Sequence, residues 1–143
     1  MIDDRCGALM LKGSTFKRLF EVNKFFVNKR YEFEPSEPLL LQTLKQDEPG
    51  RTIGRIRGIL FFGSLIEDTM NESVELYGIK WNYVILPIGK IIQLPLNETF
   101  NIEDVIGDEA AKRYYGQTEA VKLNKEDEQK VRERLTKYLN LDR

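Results

Sequence analysis

The chain has 143 residues, of which 41% are hydrophobic, and its formal net charge is −1. This length and composition predict one folded domain over residues 1–143, large enough to bury a core. Without any histidine and with a single cysteine, Cys6, the chain cannot form a histidine-based triad, a zinc site of the usual His/Cys kind or an internal disulfide bond. We therefore expect no metal, no cofactor and a cytoplasmic location, because a lone cysteine suits a reducing compartment.

The charges are unevenly distributed along the chain. Between Arg5 and Arg57 there are 11 basic and 6 acidic residues, whereas Gly58 to Arg143 has 11 basic and 15 acidic ones. A polyanionic partner is therefore expected to contact the first half of the chain. The alternative is chance clustering of charges on solvated faces.

The first part of the chain predicts, in order, a short strand at Ala8–Leu11, a helix at about Thr15–Asn23 and an aromatic strand at Lys24–Phe33. Within the helix, Phe16, Leu19 and Phe20 recur at helical spacing and should face the core. Ser14 or Thr15 offers a hydroxyl group that could cap the helix. Basic residues are interspersed in the aromatic strand, and side chains of a strand alternate between its faces, so Phe26, Asn28 and Arg30 should share one face.

The segment Leu39–Phe62 predicts a long β-hairpin. Leu39–Leu44 is its first strand, and Asp47–Gly50 has the composition of a turn. The run Arg55–Gly63 is the densest β-like stretch of the chain, and its apolar residues suit a strand buried on both faces. We expect Ile56–Phe62 to be the central strand of the sheet.

The second half predicts a surface loop at Glu67–Glu75, strands at Ile79–Pro87 and Lys90–Leu96, helical turns at Ile102–Val105 and Glu109–Tyr115, and a closing helix capped by Asn124. The order of strands and helices indicates an α+β domain, with a curved antiparallel sheet or small open β-barrel flanked by short helices. Glycine-rich phosphate-binding spacings are missing from the sequence.

Three segments carry a resemblance to a known superfamily. They are the hairpin Leu39–Gln46 and Ile56–Phe62, the strand–proline–strand segment Trp81–Ile91, and Tyr114–Gln117 followed by Val121–Asn124 and a terminal helix. Over roughly Ala8 to Leu139, their order resembles the PUA-like superfamily, and within it the EVE and YTH domains. Several of these domains recognise DNA in McrB-type modification-dependent restriction enzymes, and others read methylated RNA.

The resemblance implies a nucleic-acid-binding module that accepts a flipped, methylated base, with 6-methyladenine as one candidate, in an aromatic pocket. DNA is favoured over RNA as the polymer, and both stay open, as does the kind of methylation. The resemblance also makes a fused or associated motor or nuclease subunit a candidate partner, with no role for a membrane. Such a pocket needs aromatic faces on which the base stacks, polar groups for its edge, and cations for the flanking phosphates.

The chain supplies all three kinds of residue. The aromatic candidates are Phe26, Tyr31, Trp81, Tyr83 and Tyr115. The polar candidates for the base edge are Ser14, Thr15, Asn28 and Asn82. The phosphate-binding candidates are Lys12, Lys29, Arg30, Arg55 and Arg57. We expect Trp81 to stack on the base and to share a face with Tyr83, while core packing is the alternative for the other rings and a solvated face is the alternative for the cations.

Two other functions stay open. One is a general RNA-binding or protein-interaction module without a modified-base pocket. The other is a hydrolase, because some ASCH-type relatives in the superfamily use a lysine with a nearby threonine and glutamate. Here Lys24 is followed three residues later by Val27, which has no hydroxyl group, and Lys12 and Thr15 precede the helix. No nucleophile has an evident base beside it, so we expect no enzymatic activity.

Overall fold

The computed structural model describes residues 8–11, 13–43, 55–114 and 120–139. The strands are β1 (Ala8–Leu11), β2 (Phe25–Val27), β3 (Pro38–Thr43), β4 (Arg55–Glu67), β5 (Tyr83–Pro87), β6 (Ile92–Gln93), β7 (Phe100–Asn101) and β8 (Ala120–Val121). The α-helices are α1 (Gly13–Val22), α2 (Glu72–Tyr77), α3 (Glu103–Ile106), α4 (Asp108–Ala111), α5 (Lys125–Arg134) and α6 (Thr136–Leu139). None of these described helices is long and apolar enough to cross a membrane.

Strand β4 organises the sheet. The strand order is β2-β5-β4-β3-β1-β8, and β6 and β7 also pair with the first part of β4. All pairs are antiparallel except β1 with β3. The register of β4 with β5 shifts between Phe62 and Ser64, and a Cβ atom on the intervening Gly63 would lie 2.7 Å from the carbonyl oxygen of Leu86. Glycine at this bulge therefore lets the sheet curl.

The core lies on both faces of β4. Ile59 and Phe61 belong to one buried cluster, which also includes residues of α5. Leu60 and Phe62 belong to the other, together with Leu19 of α1. The predicted central strand, buried on both faces, is confirmed, and so is the predicted class of a curved, mainly antiparallel sheet flanked by short helices.

The aromatic strand predicted at Lys24–Phe33 is wrong in its extent, because β2 covers only Phe25–Val27. All three β2 residues are buried, so the expected alternation between an inner and an outer face does not hold there. The chain beyond Val27 is irregular, yet Tyr31 and Phe33 still reach the second core cluster.

The loop predicted at Glu67–Glu75 is also wrong, since β4 continues to Glu67 and α2 begins at Glu72. The strands predicted at Ile79–Pro87 and Lys90–Leu96 are shorter than expected, because β5 begins at Tyr83 and β6 contains only Ile92–Gln93. Strands β3 and β4 pair antiparallel as the predicted hairpin requires, but its turn at Asp47–Gly50 lies outside the described residues.

Candidate nucleic-acid interface

Aromatic, amide and basic side chains meet at one end of β2 and β5. Because Phe26 pairs with Val84 and Val27 with Tyr83, the residues that follow β2 lie beside those that precede β5. The Asn82 side-chain amide donates a hydrogen bond to the Asn28 carbonyl oxygen at 3.4 Å. We call this end of the sheet the β2–β5 rim and define it by six residues: Asn28, Lys29, Arg30, Trp81, Asn82 and Tyr83.

Trp81 is half-buried in the rim and contacts two other rings. Its ring centroid lies 5.8 Å from that of Tyr77, with the planes at 88°, and 6.4 Å from that of Phe26, with the planes at 34°. Phe26 and Tyr77 also touch each other edge-on at 5.9 Å. All three separations fall in the range of about 4.5–7 Å typical of rings in direct contact. Because Phe26 is only 4% exposed, a base cannot reach the space between Phe26 and Trp81, and Trp81 offers for stacking only the surface that these contacts leave exposed.

The backbone of Trp81 is held by a buried serine. The Trp81 amide donates to Ser73 Oγ at 2.9 Å, and the Ser73 hydroxyl donates to Asp68 Oδ2 at 2.6 Å. The Asp68 carboxylate also accepts the backbone N–H groups of Glu72 at 2.9 Å and Ser73 at 3.0 Å. Asp68 thus caps the start of α2 and connects that helix to the position of Trp81.

The Asp68 carboxyl is kept ionised by its surroundings. Burial of the group would raise its pKa, but the hydrogen bonds from the Ser73 side chain, from the backbone N–H groups of Ser73 and Glu72, and the charge of Lys80 together lower the pKa from 3.8 to about 2. Lys80 Nζ also donates to the Asp68 carbonyl oxygen. At neutral pH the Asp68 carboxylate is therefore negatively charged and surrounded by hydrogen-bond donors.

Tyr83 and Arg30 form the second aromatic feature of the rim. The Arg30 guanidinium carbon lies 5.5 Å from the centroid of the half-buried Tyr83 ring, which is a cation–π contact. Arg30 and its neighbour Lys29 are exposed. Charge and aromatic surface therefore lie next to each other, as in sites that bind single-stranded nucleic acid. The Tyr83 ring packs on the side of Val27, whereas Trp81 packs against Phe26, so the prediction that Trp81 and Tyr83 share a face is wrong.

The structure divides the phosphate-binding candidates. Lys29 and Arg30 lie at the rim, at the same end of the sheet as the last residues of β4 but with β5 between them. Arg55 and Arg57 are among the first residues of β4. Along a strand of 13 residues, these two ends are separated by up to about 40 Å. Arg55 donates from Nε to Thr99 Oγ1 at 2.9 Å and from Nη2 to the Thr99 carbonyl oxygen at 2.7 Å, so it fastens β4 to the turn before β7.

The remaining candidates lie elsewhere. Tyr31 is 8% exposed and its ring packs 5.8 Å from that of Phe33, which gives it a role in the core. Helix α1 begins at Gly13, so Ser14 and Thr15 lie within its first turn instead of capping it, and their side chains are outside the described residues. Lys12 and Tyr115 also lie outside the described residues.

Sequence reasoning missed Asp68, Ser73 and Tyr77, because it assigned a loop to most of their segment. Two signals could have located α2: an aspartate just before a stretch free of glycine and proline, and a glycine at its end. Gly78 adopts φ 73° and its N–H donates to the Val74 carbonyl oxygen, a common way for a helix to end.

The described cavities lie away from the rim. The larger, of about 530 Å³, is lined by residues 34–38, by residues 122–125, and by Glu128 and Arg132. A smaller one lies between β3 and the helices α5 and α6. Neither has an aromatic wall, so neither is the predicted base pocket. In the described part of the chain, no cluster of three or more Cys, Asp or Glu side chains could hold a metal ion.

The residues considered for hydrolase chemistry are engaged in packing and an ion pair. Lys24 Nζ lies 2.7 and 2.9 Å from the two carboxylate oxygens of Glu72. Val27, which occupies the position where a hydroxyl group would be needed, is fully buried. The Lys24–Glu72 pair joins the start of β2 to α2, next to the aromatic contact between Phe26 and Tyr77.

Solved structures with a similar fold come from the ASCH protein of Zymomonas mobilis. The crystal structure of that protein has a TM-score of 0.54 and 12% sequence identity, covering 91% of this chain and 94% of that one. The structure of a serine-to-alanine variant of that protein has a TM-score of 0.54 and 11% sequence identity, covering 90% of this chain and 94% of the variant. No protein-family model and no curated protein matches the sequence. The chain therefore shares its fold, a curled sheet flanked by short helices, with the ASCH protein of Zymomonas mobilis.

Proposed function

We propose that this chain is an RNA-binding module that holds an unpaired segment of RNA against the β2–β5 rim. The observation that carries the proposal is that one end of β2 and β5 holds two half-buried aromatic residues, Trp81 and Tyr83, together with the exposed cations Lys29 and Arg30. The PUA-like fold supports a nucleic-acid-binding function of this general kind.

The physical argument rests on what an unpaired strand offers. Its bases expose their faces, and stacking of one base on an aromatic side chain contributes about 1–3 kcal/mol. Its phosphates are neutralised by lysine and arginine with release of counterions. Trp81 and Tyr83 supply the first kind of contact, and Lys29 and Arg30 the second. A duplex, whose bases are already stacked on one another, would use only the cations.

The rim favours an open stacking surface over a closed cage for a methylated base. Phe26 is buried beneath Trp81, with 4% of its surface exposed, so a flipped base could not be enclosed between these two rings. The modified-base reader of the EVE or YTH type, acting on DNA, is therefore the weaker proposal. Lys24 is paired with Glu72 and Val27 offers no hydroxyl group, and our proposal includes no catalytic step.

The test is a binding titration with labelled oligonucleotides of one sequence: single-stranded RNA, single-stranded DNA and duplex DNA, each unmodified and with 6-methyladenine or 5-methylcytosine. We expect single-stranded RNA to bind more tightly than the duplex, with a change of less than about threefold on methylation. Lys29→Gln should weaken RNA binding, whereas the matched control Lys130→Gln, an exposed residue of α5, should not. Tight binding only to methylated duplex DNA would overturn the proposal in favour of the reader.

A further inference from the structure

We propose that Ser73 and Asp68 are positioning residues that fix Trp81 in the orientation needed to stack on a base. The inference rests on the proposed RNA-binding function. Trp81 precedes β5, which begins at Tyr83, so its backbone N–H is held by the Ser73 hydroxyl group instead of by a neighbouring strand.

The two residues that hold the Trp81 backbone are buried, so water does not compete for their hydrogen bonds. Ser73 is fully buried and Asp68 is 6% exposed. The Ser73 oxygen accepts from the Trp81 N–H. Its single proton goes to Asp68 Oδ2 at 2.6 Å, which is much closer than the Trp81 carbonyl oxygen at 3.4 Å. If the hydroxyl turned away, the buried carboxylate would lose a charge-assisted hydrogen bond and keep only the backbone N–H groups of Glu72 and Ser73 and the charge of Lys80. The Trp81 amide therefore has a fixed acceptor.

The same carboxylate also controls the ring of Trp81. Helix α2 has six residues, too few to be stable without outside contacts, and Asp68 satisfies two of its first N–H groups. The last residue of α2 is Tyr77, whose ring edge packs against Trp81. The Asp68–Ser73 pair thus holds Trp81 by its backbone directly and by its ring through Tyr77.

Helix α2 has other anchors that do not involve Trp81. Lys24 forms an ion pair with Glu72, and Arg18 donates to the Leu76 carbonyl oxygen at 3.2 Å. These contacts attach α2 to β2 and α1. Removing the Ser73 oxygen should therefore leave the helix in place and release the segment at Trp81.

The experiment uses the fluorescence of the full chain, in which Trp81 is the single tryptophan. Ser73→Ala should shift its emission to longer wavelength and raise its quenching by acrylamide. The Kd for the single-stranded RNA should rise roughly 2- to 10-fold, as expected for one lost hydrogen bond, with the salt dependence of binding unchanged. A change in fold would be seen by circular dichroism.

The matched control is Val131→Ala, which removes buried volume in the other core cluster, and it should leave both the emission and the RNA affinity unchanged. Asp68→Asn serves as the second variant and should shift the emission in the same direction, so the inference stays testable if Ser73→Ala fails to fold. If both folded variants keep the wild-type emission and RNA affinity while Trp81→Ala loses affinity, the inference is overturned. A wild-type chain that binds no RNA overturns the proposed function instead, while the emission of Ser73→Ala still reports whether Trp81 has moved.

Discussion

Glu67 and Tyr83 face each other across β4 and β5, while the guanidinium of Arg30 lies over the Tyr83 ring. Tyr83 thus has an exposed acidic residue opposite it on the neighbouring strand and an exposed cation over its ring. For a polyanion the two charges act in opposite directions. Glu67 weakens the attraction of the rim for phosphates, and Arg30 strengthens it.

This relationship gives the first prediction. Arg30→Gln should weaken RNA binding and reduce the magnitude of the log Kd against log salt slope by about 0.7, the value for one phosphate contact on a single strand. Glu67→Gln should tighten binding at low salt, with the gain disappearing as salt rises. Titrations at several salt concentrations measure both. Equal affinity of the two variants and the wild type would place the RNA elsewhere.

The second prediction concerns β4. Leu60 is fully buried in the cluster that contains Leu19 and Leu39, so Leu60→Ala should lower the free energy of unfolding by about 2–5 kcal/mol. The control is Leu96, which is 77% exposed. Leu96→Ala should change the free energy of unfolding by less than about 0.5 kcal/mol. Urea unfolding followed by circular dichroism measures both values.

Strand β4 can be predicted from the sequence because the signal, an apolar run, lies within the residues of the strand itself. A short run of β-branched and aromatic residues flanked by glycine favours a strand covered on both faces, and Ile59 and Leu60 are fully buried on opposite faces. For β2 the prediction of one inner and one outer face is wrong, because Phe25–Val27 is an equally unbroken apolar run and all three residues are buried. Which faces of a short strand are covered depends on its neighbours, here β5 and α2.

The candidate site was only partly predictable for the same reason. Trp81, Asn82 and Tyr83 were identified by residue type, and the antiparallel pairing brings them next to Asn28 and the residues that follow it. Helix α2 was missed because its stability comes from Asp68 and from contacts with distant residues, and not from an apolar stripe. The cations at the start of β4 were grouped with those after β2 because the sequence does not show that they lie at opposite ends of one long strand.

The third prediction is a pH dependence of stability. Because the pKa of Asp68 is lowered in the folded chain, from 3.8 to about 2, its contribution is fully present above about pH 4 and is lost as the pH falls towards 2. The thermal midpoint of the wild type should therefore fall more steeply below pH 4 than that of Asp68→Asn. Thermal unfolding between pH 2 and 7 measures this, and parallel curves for the two proteins would contradict it.

The fourth prediction is that Trp81→Ala weakens RNA binding roughly 5- to 150-fold, the equivalent of about 1–3 kcal/mol for one stacked base. Trp81→Phe should recover part of the loss, because it restores an aromatic face in the same place. The fold should persist, since Phe26 and Tyr77 still contact each other. A folded Trp81→Ala protein with unchanged RNA affinity would show that the stacking surface is not at the rim.

The last prediction separates the two groups of arginines. Arg55 makes two hydrogen bonds to Thr99 at the end of β4 away from the rim, so Arg55→Gln should lower the stability of the fold and leave RNA affinity and its salt dependence unchanged. Arg30→Gln should weaken RNA binding and reduce its salt dependence while leaving the stability of the fold nearly unchanged, because the contact of Arg30 with Tyr83 is on the exposed rim. The measurements are the free energy of unfolding and the RNA affinity at several salt concentrations, each made on both variants. If Arg55→Gln reduced the salt slope as much as Arg30→Gln, the RNA would extend along β4, and the division of the cations into two groups would be wrong.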